Sequence, residues 1–160
     1  MNKRQILENF LTENADNAYR FAFTYTKNLQ DAEDVVNESV IKALRSVGTL
    51  KNTQYIKSWF YKIIVNTSLT HLKASKKLNL VNYEDAAANS FSEDDYSNLS
   101  LSSLTEKLDV KYKSVIVLRF LENMTINEIS RILDLNENTV KTRLYKALAI
   151  IKINMEDDDV

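Results

Sequence analysis

Residues 124–152 constrain the fold most, because they encode two amphipathic helices joined by a tight turn. Thr125, followed three residues later by Glu128, predicts a capping box in which both side chains satisfy backbone N–H groups at the start of the first helix. The turn is predicted at 134–136, where Asp-Leu-Asn tolerates turn geometry and can cap the second helix. Apolar residues at helical spacing predict the buried sides, which are Ile126, Ile129, Ile132 and Leu133 in the first helix and Val140, Leu144, Ala147, Leu148 and Ile151 in the second.

The other side of the second helix is polar and basic, and no acidic residue occurs from 138 to 152. A short helix, a turn and a basic second helix form a unit that the major groove of DNA admits. An ordinary helical hairpin with a solvated charged face gives the same pattern, so DNA binding is a hypothesis at this point. The candidate DNA-contacting residues are Asn138, Thr139, Lys141, Thr142, Arg143, Tyr145 and Lys146.

Composition excludes several other classes of protein. The chain of 160 residues contains no Pro and a single Gly, whereas β-hairpins and phosphate-binding loops depend on glycine. Without Cys and with one His, neither a disulfide nor a zinc site is expected, and we predict no metal and no cofactor. No apolar run reaches membrane-spanning length, and the N-terminus lacks the apolar core of a signal peptide. These features predict a soluble cytoplasmic protein with no direct membrane insertion.

The first half of the chain also has a helical pattern. Residues 3–28 predict two helices, and a third is expected from about 32 to 47, capped by Asp31 and ended by Gly48 in a left-handed conformation. A polar face of this third helix is formed by Asp34, Asn37, Glu38 and Lys42. A fourth helix, capped by Thr53, is expected to run to about 78; it is basic, and its Trp59 and Phe60 fit the apolar stripe of a core. Basic helices with aromatic residues attract phosphates and stack on unpaired bases.

Between the two helical parts lies an acidic stretch. Residues 82–99 contain five Asp or Glu, and no Lys or Arg occurs from 78 to 106. Such a composition is typical of a mobile linker, and the acidic tail 156–159 is also expected to be disordered. We therefore predict an all-α fold of two small helical domains, 1–80 and 101–155, joined by a flexible acidic linker at 81–100. The C-terminal domain would contain the helix-turn-helix.

Three segments together resemble the extracytoplasmic-function sigma factors, a group within the sigma-70 superfamily of bacterial promoter-specificity subunits. Residues 31–44, DAEDVVNESVIKAL, resemble the helix that binds core RNA polymerase. Residues 58–67, SWFYKIIVNT, resemble the segment that reads the −10 element, and YKSVIVLRF at 112–120 with TVKTRLYKA at 139–147 resembles the domain that reads the −35 element. Asp134 stands where this family often has Gly, and Asp is among the few other residues that tolerate positive φ.

The resemblance implies a role for each matching residue. Core-polymerase binding, through the β′ clamp helices, falls to Asp31, Asp34, Asn37 and Glu38. Asn66 matches the residue that receives a flipped-out −10 base, and its amide suits that role because it can both donate and accept. The other residues of the −10 site are Lys62, Thr67, Thr70, His71 and Lys73. Recognition of the −35 element falls to the residues of the second helix named above, from Asn138 to Lys146.

The implied function is to direct core RNA polymerase to promoters through −35 duplex and melted −10 DNA, in response to stress or to the state of the cell envelope. The implied partners are promoter DNA, core polymerase through its β′ clamp helices and β flap, and an anti-sigma factor that is anchored in the membrane. The alternative is a helix-turn-helix repressor or activator that works without polymerase; it leaves the basic helix after residue 53 and the Asp34–Glu38 face unexplained.

An enzyme is poorly supported by the residues. The lone His71 lies in a basic helix, where a surface position or a contact with nucleic acid is more common than a catalytic base. Helix capping accounts for Asp31, and a partner-binding face accounts for Asp34. We therefore expect no catalytic residue.

Overall fold

All regular secondary structure in the described residues, 1–79 and 108–158 of the computed structural model, is helical. The chain divides into two compact units, Met1–Asn89 and Ser90–Val160. The predicted all-α class is confirmed for the described residues. The predicted linker, 81–100, and the start of the second predicted domain, 101–107, lie outside them.

Residues 1–79 of the first unit form four helices: α1 (Lys3–Glu13), α2 (Ala15–Thr26), α3 (Leu29–Ser46) and α4 (Ile56–Asn79). Short 3-10 turns at Val47–Thr49 and Thr53–Tyr55 join α3 to α4. The two helices predicted within 3–28 are confirmed. Packing of α2 against both α3 and α4, and of α3 against α4, closes the core of this unit.

The predicted caps of α3 and α4 are wrong. Asn28, three residues before Asp31, caps α3, whereas Thr53 lies in the 3-10 turn that leads into α4, and Asn52 caps that turn. Asn28 Oδ1 accepts the N–H of Asp31 at 2.9 Å, and Asn52 Oδ1 accepts the N–H of Gln54 at 3.0 Å. Asn, Asp and Thr side chains can all accept a backbone N–H at the start of a helix, so residue type alone did not separate Asn28 from Asp31 or Asn52 from Thr53. As a result Asp31 lies within the first turn of α3, and its carboxylate is available for a contact with another helix.

Gly48 does not adopt the predicted left-handed conformation, since no glycine has positive φ. The helix instead tightens into the 3-10 turn that contains Gly48. The N–H of Leu50 binds the carbonyl of Val47 at 3.1 Å, and the hydroxyl of Thr49 donates to the carbonyl of Ser46 at 2.6 Å. These bonds satisfy the last carbonyl groups of α3 without a left-handed residue.

The core of the first unit is built around aromatic rings. Phe21 contacts Tyr61 edge-to-face at 5.0 Å between centroids, and Phe10 contacts Phe60 at 5.9 Å. Edge-to-face pairs of this kind add about 0.5–1.5 kcal/mol to the gain from burying the rings. Phe60 is buried as predicted. Trp59 is only half-buried, and the core position predicted for it is occupied instead by Tyr61, which is 1% exposed. This packing leaves one side of α3 and one side of α4 in solvent.

The second unit contains α5 (Val110–Ile116), a π-helical turn (Val117–Leu121), α6 (Ile126–Leu133) and α7 (Glu137–Asp158). α7 packs against α5 and α6, and its buried residues include Val140 and Ala147. Leu148 is 40% exposed, so its predicted burial is wrong; it lies at the edge of the apolar stripe. The expected disorder of the tail is also wrong as far as Asp158, where α7 ends.

The predicted turn between α6 and α7 is confirmed in detail. Thr125 and Glu128 form the capping box, with bonds of 3.1 and 3.0 Å to each other's N–H groups. Asp134 ends α6 at φ 53°, in the left-handed region, and Asn136 Oδ1 accepts the N–H of Thr139 at 2.8 Å. All of these bonds join residues within the helix-turn-helix itself.

Among the described residues, none of the helices combines the length and the apolar character that a membrane crossing requires.

Candidate nucleic-acid and partner-protein interfaces

The polar side of α7 carries all seven residues that the sequence predicts to contact the −35 element. Five of them are exposed, and Thr139 and Arg143 are partly buried. Tyr145 is 68% exposed although it is aromatic. The buried Val140 and Leu144 lie on the opposite side of the helix. α7 therefore presents a continuous polar surface while its other side closes the core.

A groove of about 370 Å³ runs along part of this surface, between the start of α5 and the first half of α7. Its walls are Lys111, Tyr112, Asn136, Asn138, Thr139, Thr142, Arg143 and Lys146. All eight residues are neutral or basic, so the groove attracts anions. Lys141 and Tyr145 do not line it, and they lie on the neighbouring flank of α7.

Two residues of the groove, Lys111 and Tyr112, were not among the predicted site residues. Lys111 Nζ lies 5.0 Å from the centre of the Tyr112 ring, a cation–π contact that holds the ammonium group beside the groove. They reach the groove because α5 packs against α7, and no local pattern in the sequence encodes that packing. The surface therefore combines cations from two helices.

The beginning of α7 is preorganised for binding. The Asn136 cap fixes its first turn, and the Thr142 hydroxyl donates to the carbonyl of Asn138 at 2.9 Å. Asn127 Nδ2 donates to Glu137 Oε1 at 3.0 Å and so joins α6 to α7. The N-terminus of a helix carries partial positive charge, and it favours phosphate groups.

The candidate −10 residues on α4 divide into two groups. Four recur at helical spacing along one side of the helix, which is here named the outer stripe: Lys62, Asn66, Thr70 and Lys73. Asn66, Thr70 and Lys73 are exposed, and Lys62 is partly buried. The Thr70 hydroxyl donates to the carbonyl of Asn66 at 2.9 Å and so joins two neighbouring residues of the outer stripe.

The other two, Thr67 and His71, lie on the side of α4 that faces α3. Thr67 is 1% exposed, and its Oγ1 lies 3.1 Å from Lys42 Nζ. His71 Nε2 lies 3.4 Å from Asp31 Oδ1. The structure thus joins two candidate −10 residues to α3 and leaves four of them on the outer stripe.

The polar face of α3 is exposed where the sequence predicts a protein interface. Asp34, Asn37 and Glu38 are exposed, and Asp31 is partly buried beside His71. Ile41, 49% exposed, adds an apolar side chain to the same face one turn after Asn37. An acidic surface around one exposed apolar residue suits a basic partner protein, with charge setting the approach and the apolar residue adding buried area.

The polar surfaces of the described residues are suited to binding macromolecules. Within 1–79 and 108–158, no three His, Asp or Glu side chains are placed to hold a metal ion. The described residues form three candidate binding surfaces: the acidic face of α3, the outer stripe of α4 and the basic groove of α5 and α7.

Comparison with known proteins gives two matching family models. The model for Sigma-70 region 2 matches residues 10–78, and the model for Sigma-70, region 4 matches residues 98–151. The RNA polymerase sigma factor SigV of Bacillus subtilis is 41% identical, over 100% of this chain and 99% of that protein. The ECF RNA polymerase sigma factor SigW of the same organism is 25% identical, over 89% of this chain and 84% of that protein.

Two solved structures share the fold. The sigma factor RpoE, in complex with the anti-sigma factor NepR from Bartonella quintana, gives a TM-score of 0.76 at 15% identity and covers 93% of this chain and 96% of that one. CnrH, in complex with the cytosolic domain of CnrY, gives a TM-score of 0.69 at 17% identity. The match covers 95% of this chain and 88% of that one. At these identities the likeness establishes the fold alone.

Proposed function

Since the chain belongs to the extracytoplasmic-function group of the sigma-70 family and is a promoter-specificity subunit of RNA polymerase, we propose that its surfaces divide this work between two domains. Residues 1–80 bind core polymerase and read the −10 element, residues 101–155 read the −35 element, and 81–100 link them. The observation that supports this division most is the pair of separate basic surfaces, one on α4 beside the acidic face of α3 and one on α7.

At the −35 element, α7 lies in the major groove of duplex DNA. Lys141, Thr142 and Tyr145 reach base edges, because they are exposed near the N-terminal half of the helix. Lys111, Arg143 and Lys146 hold backbone phosphates through the basic groove. The phosphate contacts fix the position of the duplex and do not depend on its sequence.

At the −10 element, the outer stripe of α4 captures the unpaired strand. The amide of Asn66 binds the edge of one flipped base, since it offers both a donor and an acceptor. Lys62 and Lys73, one turn before Asn66 and two turns after it, hold the phosphates on either side. No covalent chemistry is involved: binding of the extruded base lowers the free energy of melted DNA relative to the duplex, so strand opening becomes more favourable.

The acidic face of α3 binds the β′ clamp helices of core polymerase, and the second domain contacts the β flap. Exposed carboxylates at Asp34 and Glu38 would pair with basic side chains of the partner. One of the two solved structures is a sigma factor in complex with the anti-sigma factor NepR, which supports an anti-sigma antagonist for this chain as well. In this proposal the antagonist is anchored in the membrane and releases the chain into the cytoplasm when the cell envelope is stressed.

Transcription with purified components tests the proposed function. The chain and core polymerase would be combined with a library of genomic fragments, and the fragment that is transcribed best becomes the reference promoter. We expect the chain alone to bind that fragment weakly and the holoenzyme to bind it tightly. Tight binding of a palindromic duplex by the chain alone would instead favour a polymerase-independent repressor or activator.

Lys146→Ala is expected to weaken binding of the holoenzyme to the reference promoter and to leave association with core polymerase unchanged, because Lys146 lines the basic groove. Loss of one phosphate contact lowers the slope of log affinity against log salt by about 0.9. Fluorescence anisotropy over a range of salt concentrations measures this slope. Lys152→Ala, on the same helix but outside the groove, is the control. Equal loss of promoter and polymerase binding would contradict the assignment.

A further inference from the structure

Lys42 lies between the two surfaces of the first unit that the proposed function uses. Its Nζ is 3.4 Å from Glu38 Oε1, one turn earlier on α3, and 3.1 Å from Thr67 Oγ1 on α4. The side chain of Lys42 remains 44% exposed. Because Thr67 directly follows Asn66 in the chain, this cation stands at the border between the acidic face and the base-reading residue.

The bond to Glu38 is easily exchanged. Both side chains are half-exposed, at 44% and 56%, and an exposed pair four residues apart on a helix shifts an equilibrium only about twofold. When a basic group of the polymerase binds Glu38, the neutral hydroxyl of Thr67 is the one partner that Lys42 keeps within 1–79 and 108–158. The nearest anion would then be the backbone of the strand whose base Asn66 holds, since unpaired strands are bound largely through their phosphates.

We propose that Lys42 is a further DNA-contacting residue, which Glu38 holds in the free chain and which polymerase binding releases to a phosphate of the unpaired −10 strand. This inference rests on the proposed roles of Glu38 and Asn66. It gives a physical reason for promoter reading that depends on polymerase: the same carboxylate cannot neutralise Lys42 and bind the partner. By linkage, DNA that binds Lys42 also strengthens the binding of polymerase to Glu38.

A second carboxylate of the acidic face also contacts a basic side chain at the boundary between α3 and α4, which is here named the seam. His71 Nε2 on α4 lies 3.4 Å from Asp31 Oδ1, two turns before Glu38 on α3. In both contacts a carboxylate of the acidic face lies beside a side-chain nitrogen in the seam, Nζ of Lys42 on α3 or Nε2 of His71 on α4. The seam therefore connects the polymerase-binding side of α3 to the DNA-binding side of α4 at two positions.

Lys42→Met tests the inference in the full chain with core polymerase and the reference promoter. Affinity for core polymerase is expected to rise about twofold, because Glu38 no longer has an internal partner. The salt slope of promoter binding by the holoenzyme is expected to fall by about 0.7, the contribution of one phosphate on a single strand. Lys42→Arg should restore both values. A residue that only supported the fold would weaken both interactions together.

Lys3→Met, which removes a charge from the exposed start of α1, is the matched control. Thermal unfolding followed by circular dichroism reports on the fold, and Lys42→Gln replaces Lys42→Met if the latter lowers the melting temperature. A salt slope equal to that of the unaltered holoenzyme, or a polymerase affinity that stays the same or falls, would overturn the inference. If Glu38→Lys and Asn66→Ala still lose polymerase binding and base preference, respectively, the proposed function stands and this inference alone fails.

Discussion

Glu38→Lys is expected to abolish binding of core polymerase while the helical content of the chain stays unchanged. Glu38 is exposed on the acidic face of α3, so reversal of its charge costs the fold little. At the interface, however, a Lys would meet the basic groups that Glu38 is proposed to bind, and such juxtaposition weakens association by about 100-fold or more. A pull-down with core polymerase measures association, and circular dichroism measures helical content.

Glu13→Lys is the matched control, because it makes the same charge reversal in the same unit. Glu13 is exposed at the end of α1, outside the acidic face of α3. Association that survives Glu38→Lys would refute the acidic face as the polymerase interface. Equal loss in both variants would point to net charge rather than to this face.

Signals carried by neighbouring residues predicted the helix-turn-helix accurately. The Thr125–Glu128 capping box, the left-handed Asp134 and the Asn136 cap each depend on residues at most four apart. Their geometry is set by local hydrogen bonds, which exist regardless of what the helices pack against. For the same reason the sequence placed all seven candidate residues on the polar side of α7.

Local signals failed where two neighbouring residues offered the same chemistry. Asn28 and Asp31 can both accept a backbone N–H, and so can Asn52 and Thr53. The shift of three residues in the cap of α3 changed the role of the Asp31 side chain. Instead of capping α3, it contacts His71 on α4. An error at a helix boundary thus concealed one of the contacts between the two surfaces.

The periodicity of apolar residues in the sequence did not predict the contacts between helices. Periodicity favoured Trp59 for the core, yet Tyr61 is the more deeply buried, because the packing of α2 decides which ring is covered. Lys111 was not identified because its position in the groove depends on how α5 packs against α7. The contact of Lys42 with Thr67 spans 25 residues of sequence and two helices. Residue types predicted the surfaces, and packing determined which residues share them.

Asn66→Ala is expected to remove the preference of the holoenzyme for one base of the −10 strand. Asn66 is exposed in the middle of the outer stripe, and its amide is proposed to bind the edge of the extruded base. A good bidentate contact to a base discriminates by about 1–3 kcal/mol, which corresponds to roughly 5- to 150-fold in affinity. The measurement uses four versions of the reference promoter with a pre-melted −10 region, which differ only in the base at the contacted position.

The unaltered holoenzyme should bind one of the four templates most tightly, and Asn66→Ala should bind all four within about twofold of each other. Asn9→Ala, an exposed asparagine on α1, is the control and should keep the preference. Because the strands are already separated, a difference that persists on these templates reports base reading rather than the ease of melting. A variant that binds weakly but retains the full ratio would show that Asn66 supports the strand without reading it. Base recognition would then have to lie elsewhere on the outer stripe, at Thr70 first, since its side chain is the next one along the exposed side of α4.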